Sequence, residues 1–515
     1  MTPKSILLIS PPITKPCEPP AGIAKLAGAL RANGIDCRVY DAGLDCLLGL
    51  LEQPLAANDT WTRRALNHRE ENLAALRAAD LYRNRDRYKR AVMDLNRILH
   101  MAGQPAGFAA SLSNFASQSL SPVRSADLVR AAEQFESNLF YPLFSRSLAA
   151  FFSQREPEIF GFSINFMSQA LCAFAMIGYV RKRLPGTAIV CGGGLVTSWM
   201  NIPGFESPFG GLIDDMICGP GENWLIERCT EKSAPEPSVT GCDFSSFDLD
   251  RYLAPVRVLP YSTSRGCYWK KCAFCPETAE NSVYLTEAPA VIGIDLQRLR
   301  DRIGAGLIHF LDNALSPKFM AHLIEHPPGV AWYGFARITR HLTDPNFVKG
   351  LRNSGCVMLK LGVESGDQAV LDALSKGIDI AMASRALSAL HRVGIATYVY
   401  LLFGTPAEDE AAALRTLAFT VDHADCIDFL NLAIFNLPAH GSEAGRLDTA
   451  DFYAGDLSLY REFLHPKGWG RSRVRPFLSK VFKKQPGIQE ILNNDPPFFT
   501  SNHAPFFHLQ TRMNM

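Results

Sequence analysis

No stretch of this chain is apolar over the about 20 residues that a bilayer crossing needs. The opening MTPKSILLISPP carries only a few apolar residues before Pro11 and Pro12, too few for the core of a signal peptide, so it is expected to be a buried strand. An excess of charge of one sign is missing as well. The 52 Lys and Arg against 51 Asp and Glu leave a formal net charge of +1. That removes the electrostatic case for nucleic acid or an acidic membrane as the main partner. Nothing argues for a disulfide framework: 13 cysteines without an export signal read as thiols in a reducing cytoplasm. Ten of them are scattered in mostly apolar settings, as Cys37, Cys191 and Cys356 are, and read as small buried hydrophobes. What remains is an ordinary globular composition, 47% hydrophobic and 20% charged, in 515 residues. That length suggests about three domains.

The first part reads as a doubly wound α/β domain over residues 1–235. Strands are expected at 5–10, 35–40, 159–163 and 187–191, with a further short one near 213–218, and helices lie between them. Glycines follow two of the strands, at Gly192-Gly193-Gly194 and in GPGE from Gly219 to Glu222. Alternation of this kind implies a parallel sheet with a ligand crevice at the strand ends. An insertion over about 48–157 interrupts the pattern. Its middle, 61–100, reads as helices with solvated faces, and 105–122, rich in Ser and Ala, reads as a loop or lid. A linker with Pro235, Pro237 and Gly241 follows. Over 246–438 the alternation restarts, with strands expected at 256–261, 307–311, 331–335, 357–361, 396–402 and 429–432. Repeats of this kind fit a partial (β/α)6 barrel of TIM type. Residues 439–515 form a small C-terminal extension with Phe498, Phe499, Phe506 and Phe507 near its end, expected to pack across the barrel mouth.

SRGCYWKKCAFCPE places Cys267, Cys272 and Cys275 in a tight loop just after a strand. Three thiolates at C-x4-C-x2-C spacing can hold three irons of a cubane and leave the fourth iron open, which marks a reactive site. The competing arrangement is a zinc knuckle. Structural zinc takes four ligands, and the nearest further candidates, Cys242 and His309, are distant in sequence.

On these residues the chain resembles the radical S-adenosylmethionine (SAM) enzymes, whose usual spacing is C-x3-C-x2-C; here one residue is added. HFLDN from His309, KLGVESGDQAVLDALSKG from Lys360 and LLFGTP from Leu401 extend the resemblance. It implies a [4Fe–4S] cluster on the three cysteines and SAM held by Phe274, Asp312, Arg337, Glu364 and Ser365. Glu364 is assigned to the ribose hydroxyls, Asp312 to the ammonium, Arg337 to the carboxylate and Phe274 to the adenine. Each has a plainer alternative: a helix N-cap for Asp312, an ion pair for Arg337, the core for Phe274.

The leading domain resembles the cobalamin-binding domain that precedes the barrel in one branch of these enzymes. ISPP from Ile9, GFSINF from Gly161, IVCGGG from Ile189 and DDMICGPGE from Asp214 carry that likeness. The implied contacts to cobalamin are Ser163, Gly192, Gly193, Gly219 and Glu222. The D-x-H-x-x-G motif that supplies a lower histidine to cobalt is absent, which implies cobalamin without that ligand or a domain that has lost the cofactor. The implied reaction is reductive cleavage of SAM to methionine and a 5′-deoxyadenosyl radical, coupled to methylation of an unactivated carbon on a small molecule or peptide. An electron donor such as flavodoxin or ferredoxin is implied too. Cyclisation, rearrangement or oxidation with the same cofactors is the alternative, and a non-catalytic iron–sulfur or cobalamin-binding protein is another.

Overall fold

The computed structural model describes residues 4–495 and 503–507, apart from 237, 281, 440, 442 and 443. The chain divides into two compact units. The first runs to Val258 and takes in Tyr453–Leu459; the second comprises Leu259–Phe452 and the described residues from Tyr460 onward.

Five strands form the sheet of the first unit: β1 (Ile6–Ser10), β2 (Cys37–Asp41), β3 (Ile159–Ser163), β4 (Ala188–Gly192) and β5 (Asp215–Met216). Their order is β2-β1-β3-β4-β5, with every neighbouring pair parallel. All five residues of β1 and of β3 are buried, as expected of parallel strands covered on both faces. The order reverses beside β1, so the carboxyl ends of β1 and β3 border the switch point where open α/β sheets bind ligands. The stretch between β2 and β3 is helical, the longest helix being Arg85–Gly103. The loop expected over 105–122 instead contains a short hairpin, Phe108–Ala110 paired antiparallel with Phe115–Ser117. Phe108 and Phe115 stack across it at 5.1 Å. That cross-strand aromatic pair supplies what the Ser- and Ala-rich composition conceals.

In the second unit six strands lie in one sheet in chain order: β6 (Val258–Tyr261), β7 (Leu307–Leu315), β8 (Ala331–Ala336), β9 (Cys356–Glu364), β10 (Ala396–Phe403) and β11 (Phe429–Ile434). β7 through β11 are parallel, with a helix between each strand and the next. Ser316, Asp344, Asp379 and Asp409 cap four of these helices by accepting a backbone N–H.

The side-chain period of two sorts each strand into faces. On β9, Leu359, Leu361 and Val363 form an apolar face, while Lys360, Gly362 and Glu364 share the other. Register puts Phe335 and Tyr398 beside Lys360, and His309 beside Tyr333. Lys360 is buried; its Nζ lies 2.9 Å from His309 Nε2 and over two rings, 5.0 Å from the centroid of Tyr333 and 4.8 Å from that of Phe335. The lower part of this face is therefore aromatic around one buried lysine, and its upper part carries the Glu364 carboxylate.

The turn after β10 is tied down from the tail. Trp469 Nε1 donates to Glu408 at 3.1 Å, and His465 pairs with the Thr405 carbonyl at 2.8 Å. Phe507 packs on Phe429 at 5.6 Å, whereas Phe498 and Phe499 lie outside the described residues. Glu408 is fully buried, and burial pushes its carboxyl from 4.5 up to about 7. A carboxyl raised in the folded state favours folding only while protonated. Stability is thus highest below its unfolded pKa and falls as pH climbs through the folded one, by roughly 3 kcal/mol in all. Glu408→Gln keeps the acceptor for Trp469 and is expected to flatten the slope of Tm between about pH 5 and 8. An unchanged slope in a thermal melt series refutes this.

Candidate functional site

β6 leads through Thr263 and Ser264 into the three-cysteine loop. Asp312, buried in an irregular stretch of β7, accepts from the Thr263 N–H at 3.0 Å, the Thr263 hydroxyl at 2.7 Å and the Ser264 hydroxyl at 2.6 Å. Burial raises the carboxyl and these bonds draw it back. Both oxygens are engaged in holding the approach to the loop, and the side chain is 2% exposed, where the sequence reading assigns it to a cofactor ammonium.

Within the loop, Cys267, Cys272 and Cys275 are free and half-buried, whereas Cys37, Cys191 and Cys356 are buried. Burial pushes the Cys37 thiol up to about 12. Within the C-x4-C segment Lys270 adopts a left-handed backbone, φ +49°. Trp269 Nε1 donates to the Ser375 carbonyl at 3.1 Å, and Ala273 N–H to that of Leu374 at 3.0 Å. A Cβ at Gly377 would stand 2.2 Å from Trp269 Cζ2, so only glycine lets the indole lie there. Phe274 rests on Val370, Leu374 and Ala412, with Lys376 Nζ 5.5 Å from its ring.

Charge gathers around these thiols. Glu364, at the end of β9 with φ +67°, pairs through Oε1 with Lys376 Nζ at 2.6 Å, and both side chains are nearly buried. A Cβ at Gly362 would meet both members of this pair. Arg337, just past β8 and 7% exposed, donates to the Lys376 carbonyl at 2.6 Å and reaches Cys272 Sγ at 4.0 Å. Its guanidinium lies 4.0 Å over the Trp269 ring. Ser365 turns inward, bonding Thr416 at 3.1 Å and accepting from the Asp367 N–H. Burial raises the Cys272 thiol, and Lys376 and Arg337 pull it down. For Cys275 burial again raises it, opposed by the N–H groups of Glu277 and Thr278. Burial pushes the phenol of Tyr268 up to about 12, with Arg337 pulling the other way.

The Tyr268 hydroxyl lies beside the Arg337 guanidinium, and neither that hydroxyl nor Arg337 Nε meets full hydrogen-bond geometry with a partner among the described residues. Such donors beside three thiols suit an anionic thiolate-bound group, and the sulfur donor set suits iron. Among the described residues no three His, Cys, Asp or Glu side chains converge on one ion. In a cubane each thiolate takes a different iron, so convergence on one point is not required. Trp269, Lys376 and Gly377 were not singled out from the sequence, although Lys376-Gly377 closes a segment that was.

In the first unit, Ser163 ends β3 and accepts from Asn165 Nδ2 at 3.1 Å. Asn165 Oδ1 accepts from the Gly194 N–H at 3.0 Å, and a Cβ at Gly193 would stand 2.7 Å from the Ile164 carbonyl. Gly193 therefore serves the turn itself. Gly219, φ +76°, donates to Thr197 at 2.9 Å, and nothing lies within 4 Å of where its Cβ would be. Gly192 precedes this turn and Glu222 opens the helix Glu222–Thr230. Phe166, beyond β3, is 56% exposed. The open backbone at Gly219 and the exposed Phe166 ring each lie past the carboxyl end of a strand of this sheet.

No family model matches the chain. Over 201 residues it is 27% identical to a bacteriochlorophyllide d C-12(1)-methyltransferase of Chlorobaculum tepidum, which is 37% of this chain and 43% of that protein. Over 175 residues it is 25% identical to an anaerobic magnesium-protoporphyrin IX monomethyl ester cyclase of Cereibacter sphaeroides, 32% of this chain and 28% of that one. The chain thus spans less than half the length of these curated relatives. Among solved structures, the radical SAM methyltransferase TsrM of Kitasatospora setae, with tryptophan and aza-SAM bound, superposes with a TM-score of 0.57. Identity is 14%, over 96% of this chain and 89% of that one. The same enzyme with cobalamin and a [4Fe–4S] cluster gives 0.53. The two chains share a fold.

Proposed function

We propose that this protein is a cobalamin-dependent radical SAM methyltransferase acting on an unactivated carbon of a small molecule. The observation that carries the reading is three half-buried thiols gathered with Arg337, Lys376 and Glu364 in a chain whose fold is that of TsrM. In this reading residues 1–235 are the cobalamin-binding domain, 246–438 the radical SAM partial barrel and 439–515 an extension. When bound, the cofactors supply a carbon radical and a methyl group, and the protein supplies position and exclusion of water.

Cys267, Cys272 and Cys275 hold the cluster and leave one iron open to SAM. Glu364 accepts from the ribose hydroxyls, with Lys376 fixing its carboxylate. Ser163 and the backbone at Gly192 and Gly219 would hold the corrin, with Gly193 forming the turn between them and Glu222 at that crevice. Below the charged groups, the aromatic layer around Lys360 keeps water from the reaction space. Electrons come from a small redox protein. A second reading, ring closure or oxidation with the same cofactors, is favoured by the likeness to a protein named as a cyclase.

Cobalamin decides between a working first domain and a relic. Reconstituted protein should retain it through desalting, with an EPR spectrum lacking a lower nitrogen ligand, since D-x-H-x-x-G is absent. Labelled methyl from SAM should then appear on product. Cobalamin that washes off ends the methyltransferase reading and leaves the other radical SAM chemistries.

A further inference from the structure

A guanidinium buried to the degree of Arg337 is ordinarily paired with a carboxylate. Among the described residues Arg337 has none. Its N–H groups go to the Lys376 carbonyl at 2.6 Å and to Cys272 Sγ at 4.0 Å, the outer limit of a sulfur hydrogen bond; the neutral Tyr268 hydroxyl lies beside the group, and Nε makes no hydrogen bond of full geometry. The plane of the group is held between Trp269, 4.0 Å away, and the Lys376 carbonyl, and Trp269 is itself anchored on Ser375. A neutral thiol is a poor acceptor for which to bury a cation. A thiolate carrying cluster charge is a strong one.

We infer that Arg337 is a positioning residue that sets the reduction potential of the cluster, by holding its charge and an N–H donor against the Cys272 sulfur. The inference rests on the iron–sulfur reading of the three cysteines. Reduction adds an electron to the cluster, and a fixed cation with an N–H on a ligand sulfur stabilises that more negative form. The potential is therefore less negative with Arg337 than without it. Trp269 and the Lys376 carbonyl contribute by keeping the guanidinium from rotating away, as the left-handed turn at Lys270 and the missing Cβ of Gly377 allow.

The test is an EPR-monitored redox titration of the full-length, anaerobically reconstituted protein without SAM, comparing wild type with Arg337→Met and Arg337→Lys. Arg337→Met should keep its iron and lower the ratio of reduced to oxidised cluster at a fixed poise about tenfold, which is 59 mV for a one-electron couple. Arg337→Lys, which keeps the charge without the planar fork, should fall between the two. If Arg337→Met fails to hold iron, Arg337→Lys at full iron content carries the test. A wild-type potential in an iron-replete variant overturns the inference while leaving the cluster reading intact. So does an unchanged potential with weakened SAM binding, which would assign Arg337 to the cofactor carboxylate. Wild-type protein that takes up no iron fails the reading itself, and the inference with it.

Discussion

Replacing Cys267, Cys272 and Cys275 together by Ala is expected to abolish iron binding, from about four irons per chain to none, while the protein stays folded and soluble. The first half follows from ligation, since the thiolates are the only sulfur donors of this loop. The second follows from packing. All three side chains are half-buried, so shortening them opens no closed cavity. The loop is also anchored by bonds that do not involve sulfur, from Trp269 to Ser375 and from Ala273 to Leu374. Iron assay and circular dichroism on the same preparation check both halves. Tightly bound zinc in the wild type in place of iron would sink the central claim.

Glu364→Ala is the second large effect. Losing two charge-assisted hydrogen bonds to a ribose should weaken SAM binding by about 2–4 kcal/mol without removing the cluster. The structure adds a cost absent from the sequence reading. Lys376 would be left nearly buried and without its carboxylate, and breaking such a pair costs roughly 3–5 kcal/mol of stability. A lower melting temperature is therefore expected beside the lost affinity, and the two must be measured apart. Glu364→Gln separates them, because the amide keeps an acceptor for Lys376 and removes the charge. SAM titration by calorimetry on cluster-loaded Glu364→Gln should still show weakened binding. A wild-type dissociation constant in both variants would make the pair purely structural.

Much of the fold was legible because its elements are local and periodic. The apolar strands of the second unit appear within a few residues of where period and turn residues place them. The hairpin at 108–117 was not, because it rests on one cross-strand contact between phenylalanines seven residues apart. At the site, the spacing of the cysteines shows from sequence because Cys267, Cys272 and Cys275 stand within one short segment. The partners of Asp312 do not show: Thr263 and Ser264 lie nearly 50 residues away and are ordinary in composition. Lys376 likewise meets Glu364 only because the chain doubles back after the helix Gln368–Ala373. Role assignments carried by resemblance took in none of these contacts.

The ties on the cysteine loop also bear on entropy. Fixing one residue's backbone costs about 1–2 kcal/mol, and a free loop would charge that cost against every metal atom it captured. Here Asp312 fixes the approach, Trp269 and Ala273 fix the middle, and the helix Pro276–Ala279 begins at Cys275. Most of the ordering is thus carried by contacts that involve no sulfur. In the iron–sulfur reading, sulfur–iron bonding would then go to affinity and potential, with little diverted to shaping the loop.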